Sequence, residues 1–259
     1  MEVPMVVGSN KPNFQNMIIY KSSAETNPSD VAVYLFPHGD NFLQLDLGTD
    51  KKLIKIENLK QLVDSSFQSS TLISCSKEYS LLPNMSLENV PFENLQSFLK
   101  WNVSSEYQIH KSALLFESIS IVYQERINSI ANTIPSIVSR HILEILINYS
   151  LQQKHKQSIT GAVINDVLAL AVVVDGKLQL ANIFDVSNNQ EVIYFVMLMI
   201  QEFNLDNETC FVQLFGECEE KAYLQEHLSS FLRNLKVEPH PLVTNRKFSG
   251  LAQFIELTQ

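Results

Sequence analysis

The sequence predicts an α/β protein with mixed sheets, in which one arrangement of elements is used twice. Two observations carry this. Short β-branched and aromatic runs bounded by turn residues alternate with amphipathic helical stretches. The order strand, strand, strand, helix, strand, helix is met once before residue 101 and again after residue 158. A length of 259 residues is ample for a real core, and 45% hydrophobic with 18% charged residues is a globular composition, neither disordered nor membrane-like.

The elements follow in order. Residues 1–28 are polar and rich in Asn and Ser, an irregular lead-in. Residues 31–36 read as a strand closed by the turn Pro37-His38-Gly39-Asp40. Phe42, Leu45 and Leu47 belong to a second strand turned by Gly48-Thr49-Asp50, and Leu53, Ile54 and Ile56 to a third. Asn58 can cap a helix through Phe67, and residues 71–75 form a strand. After an irregular link Pro91 opens a helix ending near Trp101, with Phe92, Leu95, Phe98 and Leu99 on one face.

The middle holds a strand at 119–123, a helix at 126–133, a strand at Ile137 and Val138, and a helix from His141 to about Gln153. The second half then opens on a strand at 159–164, the tight turn Asn165-Asp166 and the strand Val167–Val174. Asp175-Gly176 is a strong hairpin signal leading into a strand at 178–184. Ser187 with Gln190 three residues on is a capping box for a helix to about Phe203. A strand at 211–215 and a helix at 222–235, with Leu224, Leu228, Phe231, Leu232 and Leu235 inward, complete the repeat. Residues 192–200 are apolar without a break, which predicts a helix buried on every side, or one that lends part of its surface to a dimer or partner.

Three antiparallel strands followed by helix, strand and helix is the order of a ribonuclease-H-like subdomain. Two in tandem give the architecture of actin-like ATPases, with a cleft between them. The expected division is a first subdomain over 29–140, a connecting helix over 141–157 and a second subdomain over 158–259.

The second half also carries a resemblance. The run Gly-Lys-Leu-Gln-Leu-Ala-Asn-Ile-Phe ending at Phe184, the run Asn-Gln-Glu-Val-Ile-Tyr-Phe ending at Phe195, and Val-Gln-Leu-Phe-Gly-Glu ending at Glu217 resemble a family of uncharacterised Bacteroidetes proteins with an actin-like ATPase fold. That family's Asn-x-Phe and acidic-x-x-Tyr patterns would here be Asn182, Phe184, Glu191 and Tyr194. The segment Arg140-His141-Ile142-Leu143 is similar as well, and the likeness covers roughly residues 115–235. It implies an architecture and no assigned chemistry.

A working ATPase of this fold needs a phosphate turn in each half and a third turn against which adenosine lies, all rich in glycine so that backbone N–H groups reach the ligand. Those turns fall at Gly39 and Asp40, at Asn165 and Asp166, and at Gly216 and Glu217. The first and third have one glycine each, the second none, and the whole chain has only seven. Micromolar binding of ATP requires about 8 kcal/mol, and such turns offer few open donors. No nucleotide or other cofactor is therefore expected. If one binds, those six residues are the cleft candidates, with Asp40 and Asp166 positioning the metal. Leu45-Asp46-Leu47-Gly48-Thr49 looks like a phosphate loop but ends the second strand, so it reads as a β-turn.

No catalytic or metal site emerges from the rest. Six histidines are scattered without ligand spacing; His141 and Glu144 share a helix face but have no second half-site. The first strand has no carboxylate, which excludes ribonuclease-type cleavage. Cys75, Cys210 and Cys218 form no CxxC pair and read as reduced, as in cytoplasm. The net charge of −9 lacks the basic face that nucleic acid requires, and residues 159–259 alone hold 6 basic against 13 acidic side chains. No signal peptide is visible and no apolar run is long enough to span a bilayer. The expectation is a catalytically inactive actin-like protein working through a protein partner, a homodimer or as a scaffold. The alternative is a divergent ATPase or phosphotransferase using the cleft.

Overall fold

The computed structural model describes residues 17–18, 32–38, 41–46, 52–56, 69–99, 107–114, 118–125, 137–164, 166–216 and 221–237. The first sheet is built on the hairpins of β2 (Ala32–His38), β3 (Asn41–Asp46) and β4 (Lys52–Ile56), which pair antiparallel with Phe36 opposite Leu43 and Gln44 opposite Ile54. β1 (Met17–Ile18) adds to the edge of β4, so the lead-in read as irregular contributes a short strand. On the other side β5 (Ser69–Ser74) pairs parallel with β2, and β9 (Ile137–His141) parallel with β5. The order is β1-β4-β3-β2-β5-β9.

The second sheet repeats this plan. β10 (Gln157–Ile164), β11 (Val167–Val174) and β12 (Lys177–Asp185) are antiparallel, and β13 (Phe211–Gly216) and β14 (Asn234–Lys236) follow in parallel, giving the order β12-β11-β10-β13-β14. Apart from β1, both sheets place their strands third, second, first, fourth, fifth. The duplication anticipated from the sequence is real, and each half adds a fifth strand to the expected pattern. The hairpin signal at Asp175-Gly176 is a turn with positive φ at both residues, 49° and 72°, the conformation that matches strand twist.

Between β5 and β9 stands an unanticipated third sheet. β6 (Tyr79–Pro83), β8 (Ile119–Glu125) and β7 (Gln108–Ala113) pair antiparallel in the order β6-β8-β7. β6 falls in what reads as an irregular link, since it is short and ends in proline, and nothing in the sequence marks β7 (Gln-Ile-His-Lys-Ser-Ala), which is mostly polar. The helix expected from Pro91 is a 3-10 helix, Phe92–Phe98, with Leu95 and Leu99 buried. The helices expected over 58–67 and 126–133 lie outside the described residues, as does Cys218.

Among the described residues three α-helices connect the rest. α1 (Ile142–Gln152) packs on β10, β11 and β12. α2 (Asn189–Glu202) is capped one residue later than the sequence suggested. Asn188 Oδ1 accepts the Glu191 N–H at 3.0 Å, and Glu191 Oε2 accepts the Ser187 N–H at 2.6 Å. Asn188 and not Ser187 supplies the capping side chain, and Glu191 returns to the N–H of Ser187, one residue before the cap. α3 (Lys221–Ser229) is shorter than the expected 222–235, since Leu235 already lies in β14. Leu224, Leu228 and Leu232 are buried as expected, whereas Phe231, read as inward, is 56% exposed.

The expectation of a helix buried all round moves from α2 to α1. In α2, Val192, Val196, Met199 and Ile200 are buried, but Tyr194 is 60% exposed. In α1 every residue from Ile142 to Asn148 is buried, Glu144 and Asn148 included. The sequence pattern concealed this, because two polar residues interrupt the run that is most completely covered.

Candidate functional site

Ligands of open α/β sheets bind beyond the carboxyl ends of parallel strands. Those ends are His38, Ser74 and His141 in the first sheet, and Ile164, Gly216 and Lys236 in the second. Val163 lies opposite Gly216 on neighbouring β10 and β13, so the second and third expected turns follow adjacent strands. Ile164 pairs with Val167, and Asp166 lies in the connection between the two strands. Asp166 is exposed and its carbonyl accepts the Val186 N–H at 2.9 Å. Gly39, Asp40, Asn165 and Glu217 lie outside the described residues; of the six, Asp166 follows β10 and Gly216 ends the neighbouring β13. Gly161, three residues before Ile164, serves packing: a Cβ there would stand 2.7 Å from both Leu170 Cδ2 and Leu214 Cδ2.

Of the groups that gather at this level, the sequence marks His141 and Asn182 but not Lys77, Tyr79 or Asp185. The segment following β5 is pinned by its backbone. The Ser76 carbonyl accepts the His141 Nε2–H at 2.9 Å, and the Glu78 carbonyl accepts the Gln124 N–H at 3.1 Å. From it two side chains reach the other half. Lys77 pairs with Asp185, which stands opposite Val167, next to Asp166. The Tyr79 hydroxyl lies 2.8 Å from Asn182 Oδ1 and 3.3 Å from the Ala181 carbonyl. Burial pushes the Tyr79 phenol up to about 12, so it stays protonated and donates.

Behind Tyr79 lies a polar and aromatic cluster. His141 is fully buried and caps α1: its Nδ1 accepts the Leu143 N–H at 3.3 Å, so the proton resides on Nε2. Burial holds its pKa down at about 4. The ring sits between Tyr79, 5.2 Å away, and Tyr123, 4.8 Å away. Tyr123 donates to Ser139 Oγ at 3.0 Å, and burial raises its phenol as well. His110 stacks on Tyr123 at 5.3 Å, and burial lowers its pKa.

Glu144 is buried and fully engaged. Its Oε1 accepts Arg140 Nε at 3.0 Å and Nη2 at 2.8 Å, and its Oε2 accepts Ser112 Oγ at 2.5 Å. His141 and Glu144 therefore serve separate hydrogen-bond systems and not one metal half-site. Among the described residues no group of three or more His, Cys, Asp or Glu could hold a metal ion.

This geometry accompanies a clear relationship to known proteins. The sequence profile of a family described as "Protein of unknown function (DUF3822)" matches residues 41–235. The chain belongs to that family. No curated protein matches it. Among solved structures it is similar to a Bacteroides thetaiotaomicron protein with an actin-like ATPase fold and unknown function. That protein is 15% identical with a TM-score of 0.67, over 90% of this chain and 97% of the other. It is also similar to a chain of the PilM-PilN type IV pilus biogenesis complex, 11% identical with a TM-score of 0.52, over 81% of this chain and 88% of that one. At these identities the likeness is one of fold, and the fold is the actin-like ATPase fold.

Within this family member the four residues of the resemblance do structural work. Asn182 receives Tyr79 from the other half. Phe184 stacks on Phe195 at 4.2 Å, fastening β12 to α2. Glu191 closes the cap of α2, and Tyr194 meets Phe195 edge-on at 5.3 Å.

Proposed function

We propose that this protein is a catalytically inactive actin-like protein that acts by binding another protein or a second copy of itself. One observation carries the reading: the strand beside the second phosphate turn is occupied by side chains from the other half. Lys77 is paired with Asp185 there, and Tyr79 with Asn182. Phosphoryl transfer needs positioned donors and cations free to meet developing negative charge. The Lys77 ammonium is instead neutralised by Asp185. The PilM-PilN complex supports the reading in that a chain of this fold is found there in a protein complex.

The buried Cys210 thiol suits a reducing compartment such as the cytoplasm, and among the described residues no helix is long and apolar enough to cross a membrane. The net charge of −9 favours a protein over a nucleic acid as partner.

Lys77 also favours one alternative. It is a cation at the cleft, and in a divergent ATPase or phosphotransferase it would leave Asp185 for a phosphate. Calorimetric titration with Mg·ATP separates the two. The inactive reading expects no heat at millimolar nucleotide; low-micromolar binding that weakens in both Lys77→Gln and Asp166→Ala would overturn it.

A further inference from the structure

β12 is the edge strand of the second sheet, and an edge strand offers unpaired backbone groups to any other strand. Here part of that edge is taken. The Ala181 carbonyl accepts the Tyr79 hydroxyl, and the Ile183 N–H donates to Asn182 Oδ1 at 2.9 Å. Asn182 Oδ1 thus joins the strand's own backbone to Tyr79 of the other half. Three residues on, Asp185 takes Lys77.

The segment that supplies Lys77 and Tyr79 is held from behind and not merely draped on the surface. Ser74 Oγ accepts the Ser76 N–H at 3.2 Å, and Ser76 Oγ accepts the Glu78 N–H at 3.3 Å. The Ser76 and Glu78 carbonyls are bound by His141 and Gln124. A preformed segment loses little entropy in making its outward contacts, so its two side chains act together. From this we infer that Lys77 and Tyr79 form a latch that clamps the first half onto β12 and closes this stretch of its edge. The latch is a conformational device: while it holds, the two halves move as one and the edge around Ala181 and Ile183 is closed to strand pairing.

Its two contacts differ in kind, which makes the device testable. Lys77 and Asp185 are 49% and 73% exposed, so salt screens them; the Tyr79–Asn182 bond is part-buried and salt leaves it intact. Hydrogen exchange by mass spectrometry on the full chain reads the outcome. In Tyr79→Phe/Asp185→Asn, exchange in segments 74–83 and 177–186 should quicken together by about ten-fold or more, while α2 and β10 keep wild-type rates. Should that variant not fold, Lys77→Gln, which alters only an exposed side chain, should quicken both segments to a lesser degree. Raising salt should reproduce that lesser change in the wild type. Exchange that quickens in segment 74–83 alone, or in neither segment, would overturn the latch.

Discussion

Arg140, near the end of β9, reaches Glu144 in the first turn of α1, with Nη2 2.8 Å and Nε 3.0 Å from the same oxygen, Oε1. Ser112 closes the other oxygen from β7. A carboxylate buried at the start of α1 is tolerable only because both oxygens are satisfied and a guanidinium balances its charge. Arg140→Ala should therefore destabilise the protein by about 3 kcal/mol, since it leaves a buried charge without its counterion. Glu144→Gln removes the charge but keeps an acceptor, and should cost about 1 kcal/mol. Urea denaturation checks both values, and the double variant should fall short of the sum of the two.

His141 makes stability depend on pH. Its folded pKa of about 4 lies below the ordinary 6.5, because the neutral ring is fully buried. The unfolded chain therefore binds more protons between these values, and stability falls as pH drops from 6.5 toward 4. The loss attributable to this residue is about 3 kcal/mol over the window. In His141→Asn, which can still cap α1, denaturation midpoints at pH 7, 6 and 5 should lie closer together than in wild type. Equal slopes in the two proteins would contradict the assignment.

The cap of α2 distinguishes two neighbouring residues. Asn188→Ala should lower stability by about 1 kcal/mol, the usual worth of an N-cap side chain. Ser187→Ala should be near neutral, because only its backbone N–H is engaged. Thermal unfolding of the two variants is the measurement; equal losses would restore Ser187 as the cap.

Tyr194 and Phe195 should separate interaction from folding. Phe195 packs between Phe184 and Tyr194, and Phe195→Asp should unfold the chain or cost several kcal/mol, as an unpaired charge among apolar groups does. Tyr194 is 60% exposed, so Tyr194→Asp should leave the circular dichroism spectrum unchanged. If α2 contributes to self-association, that same variant should elute later in size-exclusion chromatography than wild type.

Much of the fold was legible because it is locally encoded. Asp175-Gly176 could hardly be anything but a tight turn, since two successive positive φ angles suit Asp and Gly. Val167–Val174, apolar throughout, becomes a strand buried on both faces for most of its length. The candidate site was far less legible. Lys77, Tyr79, Ser112 and Asp185 have no periodicity or motif around them, and each acquires meaning only from a partner more than thirty positions away, such as Glu144 for Ser112.

The sequence by itself determined the strands β10 to β13 and the helix α2 between them, where they turn, and that one order of elements recurs. Those features follow from backbone preference and from hydrophobic spacing along a single segment. Tertiary structure alone decided that β9 and β14 complete the two sheets and that α1, not α2, is the helix covered all round. It also decided that Tyr79 meets Asn182 across 103 positions of chain. Such contacts form because burial leaves each polar group only the partners that packing brings within reach, and no local pattern records which those will be.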